Sequence, residues 1–169
     1  MDDGIRESLW RQFGAAIDML ERAVTACPEE LWERRGVEPE FWYLAYHTTF
    51  WLDAYLSGDF EGFAPPPPFG LEEFDPAGIM PPRVYTKAEL LGYLAHCRDK
   101  CRAAVARLDD GSPRRLRSFR WGEASEVELL IYNLRHVQHG AAQLNLLLRQ
   151  EVDAAPRWVA RTKTGSFLE

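Results

Sequence analysis

Two of the four histidines in this 169-residue chain, His136 and His139, lie one helical turn apart in the run Asn133-Leu134-Arg135-His136-Val137-Gln138-His139-Gly140. On a helix such a pair sits about 60° apart around the axis. Neutral imidazole is the commonest protein ligand for a metal, and histidines and carboxylates at this spacing chelate ions inside helical bundles. His47, between Leu44 and Trp51 in an apolar helical pattern, is the natural third member. Three imidazoles around a divalent ion, with a position left open, is the layout of a catalytic rather than a structural site. The competing reading is three half-buried histidines, each hydrogen-bonded to a carbonyl or a polar neighbour. Burying a polar ring without a partner costs roughly 1 to 3 kcal/mol, so the joint placement of three on apolar patterns brings the shared-ligand reading level with it. His96 falls off the apolar stripe of its own segment and reads as a surface residue.

The elements that must position these rings follow from periodicity. Trp10, Phe13, Ile17, Leu20 and Val24 recur at three- and four-residue steps, which predicts a helix over 5–26 that Cys27-Pro28 ends. A second helix is predicted over 39–57, with Pro39 just inside its start and Gly58 beyond its end; its apolar face reads Leu44, His47, Trp51, Tyr55. The stretch 58–85 holds four consecutive prolines at 65–68 yet also Phe60, Phe63, Phe69 and Phe74. That is too aromatic for a free linker, and a connection packed along the outside of the helices is expected. Thr86-Lys87-Ala88-Glu89 is a capping-box pattern that opens a third helix, 86–108, whose stripe is Leu90, Leu94, Cys97, Cys101, Val105 and Leu108. Ser125-Glu126-Val127-Glu128 repeats the pattern and opens a fourth helix, 125–150. Four helices of about 20 residues, each about 30 Å long, predict an all-α four-helix bundle with a long crossover between helices two and three. One domain over 1–169 is expected, with the tail 151–169 lying over the bundle and its last residues frayed.

The net charge of −6 and pI ≈ 5.3 argue against nucleic-acid and anionic-membrane partners, which are gripped mainly through excess Lys and Arg. Arg114, Arg115, Arg117 and Arg120 beside Phe119 and Trp121 read accordingly as a basic surface loop. No apolar run approaches a membrane span and the N-terminus starts acidic, so the expected location is the cytoplasm. There the three cysteines, Cys27, Cys97 and Cys101, are expected to be reduced packing residues. Tyr43 and Tyr132, each four residues before a candidate ligand, either line a pocket or pack in the core. Neither a glycine-rich phosphate loop nor a serine elbow is found.

The run Tyr46-His47-Thr48-Thr49-Phe50-Trp51-Leu52-Asp53-Ala54-Tyr55-Leu56-Ser57-Gly58, paired with Arg135 to Arg149, resembles the DinB-like superfamily. The resemblance covers nearly the whole chain, including the proline-rich connection and the order of helices. It implies an up-down-down-up four-helix bundle, often a homodimer, with a divalent metal such as zinc or nickel held by one histidine of helix two and two of helix four. Transferred residue by residue, it gives His47 and His136 as the first two ligands. The position where the family places the third is Gly140. His139 then replaces the missing ring, water fills its place, or the site holds metal weakly. The resemblance also implies thiol-dependent S-transfer or isomerisation of small electrophiles with a low-molecular-weight thiol, although spacing alone does not select this over metal-assisted hydrolysis. Gln143 would orient the ligands or cap a buried polar group. The alternative is a non-catalytic, stress-associated binding or dimerising bundle, in which Gly140 leaves room for a small apolar or carboxylate ligand.

Overall fold

A computed structural model describes residues 1–36 and 38–167, most of them helical. Asp2 caps the first helix by accepting from the backbone N–H of Ile5 at 3.2 Å, and α1 runs Asp3–Ala26. A single turn, α2 (Glu29–Trp32), follows. It places the Trp32 indole in the core, where Nε1 donates to the Tyr85 carbonyl at 2.9 Å. The next helix, α3, is Phe41–Leu56. It starts two residues later than expected and leaves Pro39 outside, because Glu40 is its N-cap and its carboxylate is held by the Gly36 N–H and the Trp42 indole, at 2.7 and 2.6 Å. Thr86 and Glu89 form the reciprocal capping box of α4 (Lys87–Ala106), and Ser125 Oγ accepts from the Glu128 N–H at the start of α5 (Glu126–Val152).

α1 and α3 each pack against both α4 and α5. The register along each seam is set by specific pairs. Arg6 Nε reaches the Leu108 carbonyl at 2.9 Å while Arg98 reaches Asp18 at 2.6 Å. Across α3 and α4, Cys97 lies over Thr49 and Lys100 over Asp53. Between α3 and α5, Asn133 donates to the Leu52 carbonyl at 2.9 Å, and Gly140 meets Thr48. The core between these helices holds Trp10, Phe13, Ile17, Trp42, Tyr46, Phe50, Leu94, Val137 and Leu144, and each large side chain removed from water contributes about 1.5 to 3 kcal/mol.

Two features differ from the expectation. The basic stretch is not a loop but a two-stranded antiparallel hairpin, β1 (Leu116–Phe119) with β2 (Gly122–Ser125). Its strands are short and mostly exposed, so they carry little of the alternation that marks a half-buried strand. The second concerns α3, which is buried on most sides. Of the stripe expected to face inward, Tyr55 is buried but Leu44, His47 and Trp51 are only partly buried, and the 58–85 connection covers part of it. Phe74 packs on Phe50 and Trp51 at ring distances of 5.1 and 5.4 Å, and Phe69 sits between Tyr85 and Tyr93. The tail runs along α1, with Trp10 Nε1 donating to the Thr164 carbonyl and the Phe167 N–H donating to Glu7. The expected fraying falls on Leu168 and Glu169, outside the described residues.

Cys27, Cys97 and Cys101 are buried free thiols. Burial pushes Cys27 up to about 12 and raises the other two as well, so none of them supplies a thiolate near neutral pH. Among the described residues, no helix is long and apolar enough to cross a membrane.

Candidate metal centre

Helices α3 and α5 bring His47 and His136 together, with ring centroids 5.7 Å apart. They meet because Gly140 lets the two backbones approach. A Cβ on Gly140 would lie 2.6 Å from Thr48 Cγ2 and 3.0 Å from its Cβ, closer than packed carbons come. Glycine is therefore a packing residue at this position, and the expected space for a ligand there is filled by Thr48. This overturns the picture of Gly140 as a gap.

His136 is largely enclosed, and its Nε2 is buried with no hydrogen-bond partner. Burial, reinforced by the neighbouring His47, pushes its pKa down to about 4. The ring is therefore neutral near pH 7, the state in which imidazole binds metal.

His47 is oriented by a residue that periodicity does not reveal. The helical turn Glu72–Phe74, inside the long connection, sets Glu73 Oε2 2.7 Å from His47 Nδ1, and the same oxygen accepts from Trp51 Nε1 at 2.8 Å. The Glu73 side chain is 4% exposed. Burial alone would raise its pKa, but His47, Tyr43 and Trp51 together outweigh that and hold the carboxyl below its ordinary range. Its other oxygen, Oε1, is buried without a partner. The available signal was an acidic pair, Glu72-Glu73, set among Leu71, Phe74 and other apolar residues in a connection that has to pack against the helix carrying His47.

His139 is exposed. It lines an open cleft of about 550 Å³ together with His136, Arg135 and Tyr132. Tyr132 also belongs to an aromatic wall completed by the hairpin: Trp121 stacks on it at 4.8 Å, Phe119 stacks on Trp121 at 5.2 Å, and Tyr55 lies 5.1 Å from Tyr132 and 6.4 Å from His136. Tyr43 lies 6.3 Å from the His47 ring. Gln143 is exposed rather than turned toward the histidines, so it neither orients them nor caps a buried group. His96 is half-exposed, its Nε2 3.8 Å from the Asp53 carboxylate on the α4 side, and takes no part in the site.

Two neighbouring imidazoles, one with an unpaired buried nitrogen and the other held by a carboxylate, suit two positions of a divalent-metal site. The third position is not supplied in the same way. Among the described residues, no group of three or more His, Cys, Asp or Glu side chains is arranged to hold an ion.

Comparison with known proteins agrees with the geometry at the level of family. The model of the DinB superfamily matches residues 12–144, a span that contains His47, Glu73, His136, His139 and Gly140. A search of curated proteins finds no match to the chain. With most of its length inside that match, the chain belongs to the DinB superfamily.

Proposed function

We propose that this protein is a divalent-metal-dependent enzyme of the DinB type, with His47 and His136 as ligands and His139, which lines an open cleft together with His136, as the third donor. The observation that carries the proposal is the buried, unpaired Nε2 of His136 beside the oriented ring of His47. Leaving such a nitrogen unsatisfied costs roughly 1 to 3 kcal/mol, a cost that a bound ion would offset. What zinc or nickel supplies there when bound is a positive charge that favours thiolate over thiol near neutral pH. The protein's own thiols are buried with raised pKa values, so a low-molecular-weight thiol fits the role of nucleophile. It would act on a small electrophile, in S-transfer or thiol-assisted isomerisation. The open cleft admits such molecules, and Tyr132 and Trp121 offer them an aromatic wall. The same proposal takes the chain as one domain, an up-down-down-up four-helix bundle that forms homodimers. The seam register supports the topology alone: α1 against α4 runs in opposite directions, α3 against α4 in the same direction, and α3 against α5 in opposite directions.

The test is metal stoichiometry. Untagged protein, incubated with zinc, nickel or manganese and desalted, should retain about one ion per chain; His47→Ala and His136→Ala should retain far less. Absence of stoichiometric metal in the wild type would remove the metal-dependent reading. A specific observation favours a second reading in that event. With Gly140 closed by Thr48 and His139 exposed, the imidazole pair in ring contact among the described residues is His47 with His136, as suits a binding or dimerising bundle without catalysis.

A further inference from the structure

We infer that Glu73 is the positioning residue of His47: it accepts a hydrogen bond from Nδ1 and so fixes the tautomer whose Nε2 lone pair is free for a divalent cation. The inference rests on the metal reading above but concerns a residue of the crossover, outside both histidine-bearing helices. Three observations carry it. First, Glu73 Oε2 is 2.7 Å from His47 Nδ1 and 2.8 Å from Trp51 Nε1. An indole N–H only donates, so Oε2 is an acceptor there. With Oε2 already acting as an acceptor, its 2.7 Å contact with His47 places the shared proton on Nδ1. Second, the carboxylate is 4% exposed and sits in a turn anchored by Phe74 against Phe50 and Trp51. It is delivered in place rather than gathered from solvent. Third, Oε1 is buried and unpaired. The negative charge beside His47 is thus only partly balanced, which favours a cation over an anion as occupant. Metal-ligating histidines commonly donate their second ring N–H to such a carboxylate, and losing that partner typically weakens metal binding about 10- to 100-fold.

The experiment compares wild type, Glu73→Ala and Glu73→Gln in two measurements. Two-bond proton–nitrogen spectra of the zinc-free, ¹⁵N-labelled proteins at about pH 8, where a free imidazole is neutral, report the His47 tautomer. Competition with a chromophoric chelator reports zinc affinity. The wild type should show His47 mainly protonated at Nδ1. In Glu73→Ala the proton should redistribute toward Nε2 and zinc affinity should fall about 10- to 100-fold. Glu73→Gln keeps the packing and one acceptor oxygen and should fall between the two. If the alanine variant fails to fold, the glutamine variant decides, and wild-type tautomer and affinity in it would overturn the inference. Lost affinity with an unchanged tautomer in either variant would also overturn it, since the carboxylate would then act as a ligand itself. A wild type that takes up no zinc defeats the metal reading instead, and the tautomer measurement on zinc-free protein still decides the role of Glu73.

Discussion

Helix α3 has a buried carboxylate on each of two sides, and the surroundings of the two are finished differently. Toward α4, Asp53 is 1% exposed and both of its oxygens are taken: the Tyr93 hydroxyl donates to Oδ2 at 2.9 Å and Lys100 Nζ to Oδ1 at 2.5 Å. Lys100 Nζ also donates to Ser57 Oγ at 2.8 Å, tying the end of α3 to α4. Toward α5 and the crossover, Glu73 has one oxygen shared by His47 and Trp51 and one left unpaired, and the facing His136 nitrogen is unpaired too. A closed network in a low-dielectric interior rigidifies the helices it joins, while an open one retains an unmet demand for a partner. The first cluster is therefore closed on itself, and the second is the one on which the proposed metal site rests.

That contrast can be broken most forcefully at Asp53. Asp53→Ala strands a buried tyrosine hydroxyl and an ammonium group. With Lys100 27% exposed, solvent recovers part of the loss, and roughly 3 to 4 kcal/mol should disappear from urea-unfolding stability. Zinc uptake by the folded fraction should not change. A loss below about 1 kcal/mol, the scale of a surface pair, would make the Asp53 network incidental.

The next effect is acid sensitivity of the metal-free protein. His136 has its pKa lowered from 6.5 to about 4, so between those values the unfolded chain binds more protons than the fold. Stability therefore rises with pH across this window. It is fully present above about pH 6.5 and declines as pH falls toward 4, by roughly 2 to 3 kcal/mol near pH 4.5. His136→Leu should lack this share of the slope when urea midpoints are compared at pH 7 and 4.5. Equal slopes in the two proteins would mean that His136 is solvated and the open cluster is no different from surface.

The smallest expected effect sharpens the geometry of the α3–α5 seam. Gly140→Ala drives a methyl into Thr48 and should cost about 1 to 3 kcal/mol by overpacking. In a Thr48→Ala background, which removes the nearer obstructing atoms, the cost should shrink, a coupling that a double-mutant cycle measures by thermal unfolding. The same loss in both backgrounds would release Gly140 from the close approach. Gly140→His meets the same collision, so restoring the ring that the family pattern places there would strain the seam.

Much of the helical architecture was legible because amphipathic periods and side-chain caps are local. Trp10 through Val24 marks α1, and Thr86-Glu89 and Ser125 mark the starts of α4 and α5. The nearness of His47 to His136 was legible in the same way, as two rings on facing helical patterns. The choice of the inward face of α3 was not, since a helix covered by α4, α5 and the crossover is apolar nearly all round and its period loses direction. Glu73 stayed hidden for a related reason: its role depends on a contact 26 residues away along the chain, made by a turn with no repeating pattern. The role of Gly140 emerges only when the distance to Thr48 is known.

The placement of Glu73 in the crossover has a consequence for engineering. Grafting α3 and α5 into an idealised bundle with a short, polar connection would transplant both imidazoles but leave behind the Glu72–Phe74 turn. The portable unit is the helix pair together with its connection. A shortened crossover would yield a scaffold that displays both histidines without controlling which ring nitrogen His47 presents.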